Sequence, residues 1–185
     1  MNNIIHTVAA EVSEVLAKVN SEEAIQLAEA MREANRIFIA GTGRSGLIGK
    51  TSAMRLMHAG YSVYVVGETI TPSIASDDLL ILISGSGSTG SLVNYAKKAK
   101  EIDARTALVT TNKASKIGAY SDQFLIIPAA TKKRTGMEPD TIQPLGNQFD
   151  QSAHLLLDAV IVYLLEKYKD ESSHTSLNQK HANLE

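Results

Sequence analysis

The sequence predicts an α/β domain in which helices cover both faces of a parallel sheet. Its 185 residues suit one domain of ordinary size. Five short β-rich runs alternate with segments of helix length, which is the pattern of parallel strands joined by helices. One run, 79–83, is apolar at every position, as a strand buried on both faces requires. We therefore expect this strand in the middle of the sheet.

Two helices are expected before the first strand. Apolar residues recur every three or four positions from Ile4 to Val19, which predicts an amphipathic helix. Ser21 can cap a second helix, which carries Ile25 and Met31 on one side. Residues 1–35 are therefore interpreted as a pair of N-terminal helices in front of the α/β core.

The core is predicted to span 36–168. Its loop at 129–147 contains prolines, glycines and three cations at 132–134, and a loop of that length in a compact domain usually has a function. A long helix is expected from 147 to 168. The polar tail, 169–185, has no periodicity and is expected to be disordered. The five predicted strands are 37–40, 63–66, 79–83, 107–110 and 124–127.

The composition excludes several classes of protein. There is no cysteine, so disulfides, thiolate nucleophiles and cysteine-ligated metals are ruled out. A net charge of -2 offers no broad basic surface for nucleic acid. The first ten residues do not resemble a secretion signal, and Asp158 interrupts the apolar stretch 155–165, so neither secretion nor a membrane span is expected. The expected location is the cytoplasm.

The first predicted strand is followed by the turn Gly-Thr-Gly-Arg-Ser-Gly at 41–46. Its glycines match the pattern of dinucleotide-binding sites, and Glu68 follows the second strand, where an acid that binds ribose belongs. However, Arg44 and Ser45 place a cation and a hydroxyl where the backbone must approach a pyrophosphate. The chain also leaves no second domain for the substrate of a hydride donor. Dinucleotide binding is therefore disfavoured.

The predicted central strand is followed by the turn Ser-Gly-Ser-Gly-Ser-Thr-Gly at 84–90. The glycines allow successive amide groups to point inward, and the hydroxyls and the next helix N-terminus add donors for a phosphate. The alternative is a flexible turn with an N-cap at Ser88 or Thr89. Because parallel sheets bind ligands at the carboxyl ends of their strands, the phosphate site is favoured.

Together with Met-Arg-Leu-Met-His-Ala-Gly at 54–60 and Val-Gly-Glu-Thr at 66–69, these turns resemble the sugar isomerase (SIS) family, and within it the 6-phospho-3-hexuloisomerases. The resemblance extends from the first helix to the C-terminus. It implies a five-stranded parallel sheet in a three-layer αβα sandwich, of the Rossmann-like, flavodoxin-like kind. It also implies a homotetramer that interconverts D-arabino-3-hexulose 6-phosphate and D-fructose 6-phosphate, with no metal or other cofactor.

The same resemblance implies a place in the ribulose monophosphate pathway of formaldehyde fixation or detoxification, with functional coupling to 3-hexulose-6-phosphate synthase. It assigns binding of the phosphosugar to both turns. Arg44 could instead be a solvated or interface cation. The residues expected to bind the phosphosugar are Gly43, Arg44, Ser45, Ser84, Gly85, Ser86, Gly87, Ser88 and Thr89.

Isomerisation needs a base that moves a proton between C2 and C3, and a donor that polarises the carbonyl. In the family, the base is a glutamate at the start of the last helix. Here Asp150 stands at that position, one methylene shorter, and it could instead stabilise the helix N-terminus. The resemblance makes His58 and His181 further acid/base candidates, although His58 could be a core or interface histidine. Related isomerases insert such a tail histidine into a neighbouring subunit's site.

Two other functions stay open. One is another aldose-ketose isomerase, acting on a phosphosugar such as arabinose 5-phosphate or a heptulose phosphate. The other is a non-catalytic sugar-phosphate sensor, which is disfavoured because no helix-turn-helix or basic segment precedes Ile37. Glu68 also stays open as a base, a ligand of sugar hydroxyls or a surface acid.

Overall fold

The structure is a computed structural model that describes residues 1–136, 138–168, 177, 178, 180, 181 and 183. The chain alternates strands and helices in the predicted way. The helices are α1 (Asn2–Leu16), α2 (Ser21–Glu33), α3 (Gly43–His58), α4 (Gly90–Glu101) and α5 (Asn147–Lys167). The strands are β1 (Ile37–Gly41), β2 (Val63–Val65), β3 (Leu79–Ile83), β4 (Arg105–Thr110) and β5 (Gln123–Ile126).

The strands form one parallel sheet in the order β2-β1-β3-β4-β5. The predicted α/β fold and the central position of β3 are therefore confirmed. All five residues of β3 are buried, which matches its all-apolar sequence. The order reverses between β1 and β3, because the chain passes from β1 to β2 on one side and then crosses to β3 on the other.

Side chains that alternate along the strands build a separate core on each face of the sheet. Ile37, Ile39 and Ile81 pack with α1, α2, α3 and α5 on one face. Phe38 and Leu80 pack with α4 and the short 3₁₀ turn after β4 on the other. This two-sided burial produces the three-layer sandwich.

The N-terminal helices form with a small change in capping. Asn20, rather than Ser21, caps α2, and its side-chain oxygen accepts a hydrogen bond from the Glu22 amide at 3.0 Å. Both residue types are good N-caps, and the longer Asn20 side chain reaches the free amide. The expected cap at Ser21 is therefore wrong by one residue. Val12 and Val15 of α1 are buried in the core.

The predicted disorder of the tail concerns mainly residues outside the described part of the chain. In the described part, the Lys180 amide donates to the Leu177 carbonyl at 3.3 Å, and the His181 amide donates to the Asn178 carbonyl at 3.2 Å. These residues therefore form a local turn. None of the helices in the described ranges has the length and apolar character needed to cross a membrane.

Candidate active site

The two glycine-containing turns lie side by side at the carboxyl end of the sheet. Gly41, the last residue of β1, is in register with Ile83, the last residue of β3. The strand order reverses between these two strands. In open parallel sheets, ligands bind in the crevice at such a switch point. The turns 41–46 and 84–90 therefore form two walls of one crevice.

The crevice encloses a cavity of about 420 Å³, closed by α5 and loop 129–147. Small-molecule sites have volumes of roughly 300–1,000 Å³. Of the residues expected to bind the phosphosugar, only Gly87 and Ser88 are absent from its walls. The lining residues are Thr42, Gly43, Arg44, Ser45, Ile83, Ser84, Gly85, Ser86, Thr89, Thr131, Lys132, Leu145, Gly146, Phe149 and Asp150.

The glycines of the first turn allow α3 to begin in direct contact with β1. A Cβ added at Gly41 would lie 2.9 Å from the backbone of Ser45 and Gly46. Gly43 has a φ of +57°, in the left-handed region that favours glycine. Larger residues would therefore displace the start of α3, and with it Arg44 and Ser45, from the crevice.

The second turn is held by hydrogen bonds that fix the direction of its amide groups. The Gly85 carbonyl accepts bonds from the Thr111 amide at 3.1 Å and the Thr111 hydroxyl at 2.9 Å. The Gly87 carbonyl accepts a bond of 2.9 Å from a backbone amide after β4. Because C=O and N–H of a trans peptide point in opposite directions, the Ser86 and Ser88 amides point away from these partners.

Several donors of this turn are available to an anion. Within the described residues, the backbone amides of Ser86 and Thr89 have no hydrogen-bond acceptor. The Ser84 and Thr89 side-chain oxygens lie 3.5 Å apart beside the N-terminus of α4. Ser88 differs, because its hydroxyl donates to the Ser86 carbonyl at 3.1 Å. Free amides and hydroxyls at a helix N-terminus suit a phosphate.

Asp150 brings a buried carboxylate into the same cavity from the first turn of α5. Only 6% of the residue is exposed, and its Oδ1 accepts a hydrogen bond of 2.8 Å from the Ser45 hydroxyl. The Arg44 Nε lies 3.6 Å from Oδ2. Burial raises the pKa of Asp150 above its ordinary value, and the contacts with Ser45 and Arg44 oppose that shift. A carboxylate with a raised pKa is suited to proton transfer.

Arg44 joins the start of α3 to the start of α5. Its Nη1 donates to the Asn147 side-chain oxygen, and its Nε faces Asp150. About half of the side chain, 51%, stays exposed. The structure therefore places Arg44 at the mouth of the cavity as a cation that is only partly neutralised.

Sequence reasoning did not assign the wall that loop 129–147 contributes. Thr131, Lys132 and Leu145 line the cavity, and Lys132 adds a second cation to it. The available signal was the cluster of cations at 132–134, in the loop that follows the last strand. Nothing in the loop sequence shows which of these cations faces inward.

His58 and His181 lie together, and neither lines this cavity. Their rings stack with centroids 5.2 Å apart and an interplanar angle of 23°. His58 is the last residue of α3, about 22 Å along the helix axis from Gly43 at 1.5 Å per residue. Burial, followed by the nearby His181 and Arg55, lowers the pKa of His58 below its ordinary value.

Glu68 is also outside the cavity. Its carboxylate pairs with Lys50 Nζ at 2.6 Å, and about half of its side chain is exposed. Such a pair is typical of a surface acid. No group of three or more His, Asp or Glu side chains in the described part of the chain is arranged to hold a metal ion.

Sequence comparison shows that the chain belongs to the SIS domain family. The parallel sheet and the crevice at its carboxyl end agree with this class. The family match covers residues 30–141. Both turns of the crevice lie inside that range, whereas α1 and α5 lie outside it. The match therefore includes the predicted phosphate cradle and excludes Asp150.

Named relatives show which members of the SIS family the chain resembles. A Bacillus subtilis (strain 168) protein named 3-hexulose-6-phosphate isomerase is 45% identical over 169 residues, covering 91% of this chain and 90% of the relative. A Mycobacterium gastri protein of the same name is 40% identical and covers 100% and 92%. The crystal structure of a hypothetical protein from Methanococcus jannaschii, inferred to have this isomerase function, superposes with a TM-score of 0.85 at 33% identity. It covers 98% of both chains.

Proposed function

We propose that this chain interconverts 3-hexulose 6-phosphate and fructose 6-phosphate through an enediol. The observation that carries the proposal is one cavity that combines a cradle of free amides and hydroxyls with a buried carboxylate. The proteins that share this activity by name are similar to the chain over most of its length. Its immediate small-molecule partner is therefore a phosphosugar.

The phosphate group of the sugar binds the turn after β3. The Ser84, Ser86 and Thr89 side chains line the cavity there. The unpaired amides of Ser86 and Thr89 and the N-terminus of α4 add hydrogen-bond donors. Arg44, from the first turn, and Lys132, from loop 129–147, supply positive charge to the same cavity. The ligand thereby lies between the cradle and Asp150.

Asp150 acts as the base. With the 3-ketose as substrate, its carboxylate takes the proton from C2, the electron pair forms the C2–C3 double bond of the enediol, and the proton returns to C3. A second proton moves from the C2 oxygen to the C3 oxygen, so that atoms and charge balance. Because Ser45 and Arg44 hold both carboxylate oxygens, Asp150 keeps one orientation during the transfer.

His58 and His181 take part through a neighbouring subunit. They lie near the opposite end of α3 from the cavity of their own chain, further than a side chain reaches. A homotetramer would place them beside another subunit's cavity, where a neutral imidazole could relay the proton between the C2 and C3 oxygens. Exposed apolar residues on α3, such as Leu47, Met54 and Met57, support an assembly of this kind.

The metabolic setting is proposed from the resemblance to the named relatives. The chain is expected to work with 3-hexulose-6-phosphate synthase, which would supply the 3-hexulose 6-phosphate. That pairing corresponds to the ribulose monophosphate pathway of formaldehyde fixation or detoxification, in the cytoplasm.

The test is an NMR assay of the purified protein with fructose 6-phosphate in deuterated water, without added metal or nucleotide. The proposal predicts exchange of the C3 proton and appearance of the 3-ketose. Binding without either signal would favour a sensor. Conversion to an aldose or of a different phosphosugar would favour another sugar isomerase.

A further inference from the structure

We propose that Glu11, in the N-terminal helix α1, is a positioning residue for the sugar-phosphate site. It holds loop 129–147 in the conformation that closes one side of the cavity. Glu11 does not line the cavity, and it precedes the family match at 30–141. Only the kinetic part of this inference rests on the proposed function, since the loop's conformation can be tested without turnover.

The Glu11 carboxylate binds three successive residues of the loop. Its Oε2 accepts hydrogen bonds from the Thr141 hydroxyl at 2.5 Å and from the Gln143 Nε2 at 2.9 Å. Its Oε1 accepts one from the Ile142 amide at 2.8 Å. Hydrogen bonds to an ionised group are stronger than those between neutral groups. One side chain of α1 therefore fixes the second half of the loop.

The fixed segment is joined to the residues that line the cavity. Arg134 Nη2 donates to the Gln143 carbonyl, which links the second half of the loop to the first. Within the first half, the Glu138 carboxylate accepts bonds from the Thr131 amide at 3.0 Å and the Thr131 hydroxyl at 2.7 Å. Thr131 lines the cavity and is followed by Lys132, which also lines it. A chain of hydrogen bonds therefore connects Glu11 to the residues that form this wall of the cavity.

The support for this clamp is rigid. Val12, the neighbour of Glu11, is 6% exposed and belongs to the buried core, as does Val15 one turn further. Gln143 is itself buried, at 3% exposure. Loops without regular structure usually open at low free-energy cost, whereas a segment tied to a packed helix does not. The helical layer thus restrains a loop that would otherwise open and close freely.

The experiment compares Glu11→Ala with Glu14→Ala, an exposed glutamate on the same helix. Native-state trypsin digestion, read by mass spectrometry, follows cleavage after Lys132, Lys133 and Arg134. We expect Glu11→Ala to accelerate this cleavage about tenfold, which corresponds to a change of about 1.4 kcal/mol in the free energy of loop opening. Glu14→Ala should leave the cleavage rate unchanged. Thr141→Val, which removes one of the three donors, should give a smaller acceleration at the same sites.

Steady-state kinetics with fructose 6-phosphate provide the second readout. Glu11→Ala should raise KM about tenfold and change kcat less than about twofold, because the loop binds the ligand and the base is untouched. Unchanged cleavage and unchanged KM would overturn the proposal. Equal acceleration after Arg105, in β4, would also overturn it, since Glu11 would then support general stability. If the wild-type protein turns over no sugar, cleavage selective for 132–134 still supports the clamp while the proposed function fails.

Discussion

The two ends of α3 carry different chemistry. At its amino end, Arg44 and Ser45 line the cavity and contact Asp150. At its carboxyl end, His58 is buried and stacks on His181. Along the helix axis, at 1.5 Å per residue, Arg44 and Ser45 lie about 20 Å from His58. One chain therefore places the proposed phosphate cradle and the proposed base, Asp150, in one cavity and its two candidate histidines elsewhere.

The ionisable groups near the two ends of α3, Asp150 and His58, are both buried, but their surroundings differ. Desolvation disfavours the charged form, so the pKa of Asp150 rises and that of His58 falls. For Asp150, Ser45 and Arg44 stabilise the carboxylate and oppose the shift. For His58, the nearby His181 and Arg55 add to the shift. The first environment suits a base, and the second keeps an imidazole neutral.

The largest effect is expected at the amino end of α3. Asp150→Asn should lower kcat about a thousandfold, within the range attributed to a general base, while sugar-phosphate affinity changes little. Asp158→Asn, the same change two turns along α5, serves as the control. Turnover rates and calorimetric affinities check both variants. Normal turnover by Asp150→Asn would restrict the residue to supporting the helix N-terminus.

The next effect concerns the carboxyl end. His58→Ala should lower kcat about a hundredfold, as expected for an acid/base residue that acts in a neighbouring cavity. His6→Ala, an exposed histidine of α1, should leave kcat unchanged. Full activity of His58→Ala, measured in an assembly of wild-type size, would make His58 a packing or interface residue.

A smaller effect is expected in the cradle. Ser86→Ala should weaken binding of fructose 6-phosphate about tenfold, the factor that corresponds to about 1.4 kcal/mol, and leave kcat nearly unchanged. Ser88→Ala should have less effect, because the Ser88 hydroxyl donates within the turn and is absent from the cavity wall. Calorimetric titration measures both affinities. Equal losses would show that the sequence-based assignment of Ser88 to the phosphate is right.

The smallest effect is a change in pH dependence. The proposed base, Asp150, can accept a proton only when it is deprotonated, so we expect kcat/KM to fall as the pH drops through its raised pKa. Ser45→Ala removes a hydrogen bond that stabilises the carboxylate, so the pKa of Asp150 should rise further. The acidic limb of the pH profile of kcat/KM should then move to higher pH. A shift to lower pH would contradict this assignment of the base.

The sheet could be predicted from the sequence because its patterns are local. The all-apolar run of β3 matches the observed strand at both ends. Strand β4 begins two residues before the expected 107 because polar residues there have distant partners. Arg105 pairs with Glu33, and the Thr106 hydroxyl donates to Asp122 at 2.8 Å. Such contacts cannot be recognised from the spacing of apolar residues in the sequence.

The cavity could be predicted only in part for the same reason. The two turns follow strands directly, so their position at the sheet edge follows from the topology. The wall formed by Lys132 and Leu145 depends on a loop whose shape is set by contacts such as that of Thr141 with Glu11, 130 positions away in the sequence. The position of His58 relative to another subunit's cavity would follow from the proposed assembly, and the local patterns of a single chain do not encode an assembly.

Subunit complementation tests most directly whether the two ends of α3 serve different cavities. Asp150→Asn and His58→Ala, each nearly inactive alone, are mixed, dissociated and reassembled. If each cavity combines Asp150 of one subunit with His58 of another, mixed assemblies contain some intact sites, and activity should rise far above that of either variant. Activity that stays at the sum of the two variants, in assemblies shown to be mixed, would contradict the account.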